Sequence, residues 1–77
     1  MEIDHDKIDD CTLALLHQVS FQDGFATRAW KSFDWKTMGR LHEKGYISDP
    51  KSKSKSVVLS EEGLSRAKEL FEKLFAK

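Results

Sequence analysis

Seventy-seven residues, 39% of them apolar and 34% charged, make one domain with little apolar surface beyond the needs of a single core. The formal net charge is zero, and no apolar run approaches the ~18 residues that span a bilayer. This balance argues against a strong nonspecific nucleic-acid binder and against a membrane-spanning chain.

One cysteine, Cys11, excludes an intramolecular disulfide and fits a reducing compartment. The start, Met1-Glu2-Ile3-Asp4-His5-Asp6, lacks the basic and apolar regions of a signal peptide, so the chain is expected in the cytoplasm. The charges are segregated. Residues 1–23 carry a net −5, residues 24–56 a net +5, and residues 57–77 balance.

From Asp6 to about Ser20, Ile8, Cys11, Leu15, Leu16 and Val19 recur at helical intervals, which predicts a helix with that stripe buried and Leu13 off it. Asp4 or Asp6 is positioned to cap it, and Asp9 and Asp10 complement the positive end of its dipole. Asp23-Gly24 marks a turn. Phe25 to Phe33 has no clean period, and a short helix and a short strand at Thr27-Arg28-Ala29-Trp30 both fit. Asp34 caps a predicted helix from Trp35 to Lys44, with Trp35, Met38, Leu41 and His42 inward and Gly45 as the residue that ends it. Tyr46-Ile47-Ser48 and Val57-Val58-Leu59 are predicted strands, joined by the polar run from Asp49-Pro50 to Ser56. Ser60 caps the last helix, whose face of Leu64, Ala67, Leu70, Phe71, Leu74 and Phe75 is wider than one core contact requires.

The expected fold is α+β and winged-helix-like: residues 1–77 form a single domain of three helices, with a two-stranded antiparallel hairpin as a wing before the C-terminal helix. Leu41-His42-Glu43-Lys44-Gly45-Tyr46-Ile47, followed by Val57-Val58-Leu59-Ser60-Glu61-Glu62-Gly63, resembles the second half of bacterial winged-helix regulators of the PadR and MarR type. The runs Arg28 to Trp35, Arg40 to Pro50 and Lys55 to Leu59, with the acidic start, resemble a family of small bacterial proteins classed as a domain of unknown function. That resemblance implies a bacterial stand-alone protein and supplies no activity. One departure from the regulator pattern is the short span from Phe25 to Phe33, which holds at most two helical turns where a helix-turn-helix needs a full first helix.

Lys36, Arg40 and Lys44 stand at i, i+4 and i+8 and are expected on one exposed line, with Thr37 and Arg40 able to reach bases. With Lys51, Lys53 and Lys55 on the wing they make a candidate phosphate-contacting set; a solvated face is the alternative. Among the aromatics, Phe33 and Trp35 are expected in the core and Trp30 on the surface. Trp30, Leu64, Phe71, Leu74 and Phe75 form the candidate protein interface. His5, His17, His42 and Cys11 match no zinc spacing, and Cys11 is expected to fill the core.

No nucleophile stands beside a base, Asp9 and Asp10 diverge on their helix, and Ser60 is used as a cap. The expectation is therefore a non-catalytic interaction module of bacterial or mobile-element origin, without cofactor, metal or small-molecule substrate. Its partner is a protein or a second copy, the apolar excess of the last helix favouring a homodimer. The alternative is a DNA-binding regulator using residues 35–44 and the 49–56 wing.

Overall fold

The computed structural model describes all residues, Met1–Lys77. Its order is α1 (His5–Gln18), β1 (Phe21–Asp23), β2 (Ala26–Trp30), α2 (Trp35–Glu43), β3 (Ser56–Val58) and α3 (Glu61–Phe75). The α+β class with three helices holds. No helix is long and apolar enough to cross a membrane.

Each helix begins on a side chain that satisfies an orphan N–H. Asp4 accepts from Lys7 N at 3.1 Å, Asp34 from Thr37 N at 3.1 Å, and Ser60 from Gly63 N at 2.9 Å. α2 ends on Gly45, whose φ of 82° only glycine adopts without strain. Gly45 N donates to His42 O at 2.9 Å and Tyr46 N to Leu41 O at 3.1 Å, the paired bonds of a Schellman ending.

The sheet differs from the expected two-stranded wing. Three antiparallel strands lie in the order β1-β2-β3, and the tight hairpin is β1-β2, upstream of α2. Its two-residue turn is Gly24-Phe25, with Gly24 at a φ of 64° in the first position, where hairpin twist calls for positive φ. Of the two alternatives for residues 25–33, the strand is the one formed. β3 is laid against β2, Ala29 opposite Val57. The predicted strand at Tyr46-Ile47-Ser48 is reduced to a bridge between Ile47 and Leu59 on the edge of β3 opposite β2, held by Ser48 N donating to Val58 O at 2.9 Å and Ser60 N to Tyr46 O at 3.0 Å.

The core joins Leu13, Ala14 and Leu16 of α1, Ala29, Met38, Leu41, Ile47, Val57, Leu59, Ala67 and Leu70. In α1 the helical period is right and the predicted face is wrong. Asp9, Thr12, Leu13 and Leu16 are buried at i, i+3, i+4 and i+7, while Ile8, Cys11 and Val19 are exposed and Leu15 half-buried. α1 packs on both α2 and α3, which turns this arc inward, and its carboxylate is accommodated because α2 brings two cations to it. In α2, Thr37, Met38 and Leu41 face inward. His42 is exposed and Trp35, at the first helical position and beyond the packed turn, is 58% exposed, against the expectation for both. Phe33 packs half-buried on the core.

The segment Ser60–Gly63 seats α3 on the end of α2. Ser60 N donates to Tyr46 O at 3.0 Å and Ser60 Oγ to Gly45 O at 2.6 Å. A Cβ on Gly63 would overlap the Tyr46 carbonyl oxygen and stand 2.7 Å from its carbon, so the glycine is there to admit backbone.

Candidate interaction surface

Alternation along β2 decides which side chains meet water. Thr27 and Ala29 are buried; Arg28 and Trp30 point to the other face, with Val58 opposite Arg28. Phe21 is paired with Arg28, so it shares that outer face and lies diagonal to Trp30. The two rings meet at a centroid distance of 5.3 Å, and Asp23 reaches Arg28 Nε at 3.5 Å beside them. Trp30 remains 52% exposed despite this contact, as expected for it, and Phe25 at the hairpin tip is fully exposed. An aromatic cluster thus stands on the open side of the sheet, next to a free strand edge.

β1 packs on β2 and borders no other strand. In a hairpin with a two-residue turn the pair next to the turn is hydrogen-bonded, so the next pair, Gln22 and Thr27, is not. The N–H and C=O of Gln22 therefore aim outward from the sheet. Its side-chain amide turns the other way and donates to Thr27 Oγ1 at 3.0 Å.

The basic line on α2 is not the free surface expected of it. Arg40 Nε donates to both carboxylate oxygens of Asp9, at 2.9 and 3.0 Å, and its terminal nitrogen lies 2.8 Å from Oδ1. Lys44 Nζ stands 2.9 Å from the same carboxylate and 3.1 Å from Asp6. Thr37 is buried; its hydroxyl donates to Asp34 and accepts from Arg40. The Asp9 side chain is 1% exposed. Burial pushes its pKa up, but the hydrogen bonds and positive charge of Arg40 and Lys44 outweigh that and hold it below the usual carboxylate value. Donating hydrogen bonds to Asp9 in turn raises Arg40 and Lys44. Asp34 is lowered by its backbone and side-chain bonds to Thr37. This cluster ties α1 to α2 and leaves Lys36 as the solvated cation of the line.

Lys51, Lys53 and Lys55 are exposed on the 49–56 loop. The loop is held from below by Lys31, whose Nζ donates to Pro50 O and Ser52 O, both at 2.7 Å. On α3, Leu64 and Phe71 pack half-buried on the core and are occupied there. Leu74 and Phe75 project beyond it, Phe75 against Phe71 at 5.4 Å. Cys11 is exposed and not in the core, and no three His, Cys, Asp or Glu side chains converge to hold a metal ion.

A shallow depression of about 330 Å³ opens between α2 and the start of the 49–56 loop, lined by Trp35, Gly39, His42, Glu43, Asp49, Pro50 and Lys51. His42 Nδ1 lies 2.9 Å from Ile47 O; the carbonyl can only accept, so Nδ1 carries a proton and donates it.

A family model described as a domain of unknown function, DUF6429, matches residues 4–77. The chain belongs to the DUF6429 family. It is 56% identical to the "Uncharacterized protein y4hR" of Sinorhizobium fredii (strain NBRC 101917 / NGR234), over the whole of both chains. No solved structure matches. The likeness to PadR and MarR regulators is not supported by these matches. The residues that suggested it have an architectural reading in this DUF6429 chain: Gly45 closes α2, Ser60 caps α3, and Gly63 admits the Tyr46 carbonyl.

Proposed function

We propose that this protein is a non-catalytic interaction module that associates through the outer face and free edge of its sheet, with a second copy of itself as the partner. The observation that carries this reading is the placement of Trp30, Phe21 and Phe25 in water beside an unpaired strand edge. At ~200 Å² per aromatic side chain, these three expose about 400 Å² per copy. The β1 backbone and the flanking Asp23, Arg28 and Val58 extend that toward the ~800 Å² per side of an ordinary interface.

A two-fold axis through Gln22 is the natural geometry. Antiparallel β1 strands would exchange Gln22 N–H and C=O with each other, joining two three-stranded sheets and placing both Phe21–Trp30 pairs on one surface. The small size of the domain supplies a motive, since a 77-residue chain gains much from buried apolar area.

Sedimentation equilibrium across a concentration series tests this. A dimer is expected, weakened at least about tenfold by Trp30→Ala and by Gln22→Pro, each with an unchanged far-UV spectrum. The pair Leu74→Ser with Phe75→Ser on α3 is expected to leave association intact. A monomer at every concentration, or a dimer lost with the α3 pair and indifferent to Trp30, overturns the reading.

A further inference from the structure

Gly39 sits in the middle of α2, where glycine is about the poorest helix residue after proline. Nothing in the fold asks for it. Its φ is not positive, and a Cβ built there meets no atom within 4 Å. What glycine does at this point is leave bare helix backbone as the floor of the depression between α2 and the 49–56 loop.

The walls have a consistent chemistry. Trp35 stands one turn before Gly39 and lines the depression with a side chain that is 58% exposed. Glu43 stands one turn after it, and Asp49 enters from the loop; neither carboxylate has an ion-pair partner, though Asp49 Oδ1 accepts from Lys51 N at 2.9 Å. His42 lines the same wall, its Nδ1–H committed to Ile47 O. Lys51 is the single cation. An aromatic side chain beside two carboxylates that lack an ion-pair partner favours a planar cation with several N–H donors. The same set repels an anion and offers a neutral apolar group little.

We infer that this depression binds the guanidinium group of an arginine side chain carried by a partner polypeptide, stacked on Trp35 over Gly39 and hydrogen-bonded to Glu43 and Asp49. A peptide-borne arginine fits better than the free amino acid, because the walls hold one lysine and no second cation to receive an α-carboxylate. The inference stands on different residues from the sheet-edge dimer and does not depend on it.

The test is a titration of the ¹⁵N-labelled full chain, read at the Trp35 indole N–H and the Gly39 and Glu43 amides. The probes are N-acetyl-arginine-N-methylamide, the citrulline analogue of the same shape without charge, and free arginine. The blocked arginine is expected to shift these signals with a Kd of about 1 mM, and citrulline to bind at least about tenfold more weakly. Glu43→Gln weakens the arginine response, and Gly39→Leu, which fills the floor, removes it. Gly39→Ala serves as the fold control and is expected to raise the melting temperature by about 4–8 °C, since the helix gains a better former. Equal response to citrulline, an undiminished response in Gly39→Leu, or tighter binding of free than of blocked arginine overturns the inference.

Discussion

Removing the charge of Asp9 is the sharpest test of how this chain is held together. The carboxylate is 1% exposed and is met by Arg40 through two Nε contacts and a third from its terminal nitrogen, and by Lys44 at 2.9 Å. Asp9→Asn keeps the volume, discharges the centre and turns one acceptor into an amide donor facing a guanidinium. A buried ion pair broken from one side costs about 3–5 kcal/mol. Arg40 and Lys44 are about a third exposed and recover part of their hydration, which brings the expected loss to about 2–3 kcal/mol. For a 77-residue domain with a total stability of roughly 4–11 kcal/mol, that is a large fraction. Arg40→Met is expected to cost at least as much, because it strands the buried anion with Lys44 alone, whereas Asp9→Leu with Arg40→Met recovers most of the loss by removing both charges together. The sign of the pH effect follows from the direction of the shift. The folded pKa of Asp9 lies below its ordinary 3.8, so its contribution is complete above about pH 4 and drains away as pH falls through the folded value. Urea unfolding followed by tryptophan fluorescence between neutral pH and pH 2 should show a shallower acid limb for Asp9→Asn, with the lowered Asp34 supplying the remainder. A variant within 0.5 kcal/mol of the parent at neutral pH and with an unchanged acid limb would refute the buried-ion account.

Gly63→Ala is expected to cost about 3 kcal/mol or more, because the atom it meets is Tyr46 backbone and not a yielding side chain, and chemical denaturation will read this directly. Duplex DNA is expected to show no mobility shift at low salt, since Arg40 and Lys44 are committed to Asp9 and only Lys36, Lys51, Lys53 and Lys55 stand free of the former set. A shift that Lys53→Glu abolishes would restore the regulator reading.

The ends of the helices were legible because each depends on one local interaction. Asp34, Gly45 and Ser60 do what their residue types do at those offsets, and Asp4 is one of the two caps offered for α1. The inner face of α1 was not legible, since the arc that packs begins with Asp9, a residue that hydropathy assigns to water. Its burial depends on Arg40 and Lys44, more than 30 positions away in the chain, and no local pattern announces that. β2 misled for the opposite reason. It buries Thr27 and Ala29 and exposes Trp30, so its small residues face the core and its largest faces solvent. β1, three residues all exposed, carries no alternation to find. The outer aromatic surface was half visible: Trp30 could be singled out from its neighbours, but its partnership with Phe21 required the register of a hairpin that the sequence left ambiguous.

The segregation of charge along the chain acquires a meaning once the elements are packed. An N-terminal segment of net −5 and a central segment of net +5 look like two surfaces, one of them suited to phosphate. Folding lays them on each other: Asp9 with Arg40 and Lys44, Asp6 with Lys44, Asp23 with Arg28. Opposite charges placed far apart in sequence favour the pairing of α1 with α2 over competing arrangements, because like-charged faces brought together there would repel. Two of the six cations that would serve a nucleic acid, Arg40 and Lys44, are spent in this way. Beside the four free lysines, the packed chain exposes aromatic area on the sheet and an indole with two carboxylates over α2, the two surfaces on which the proposed polypeptide contacts rest.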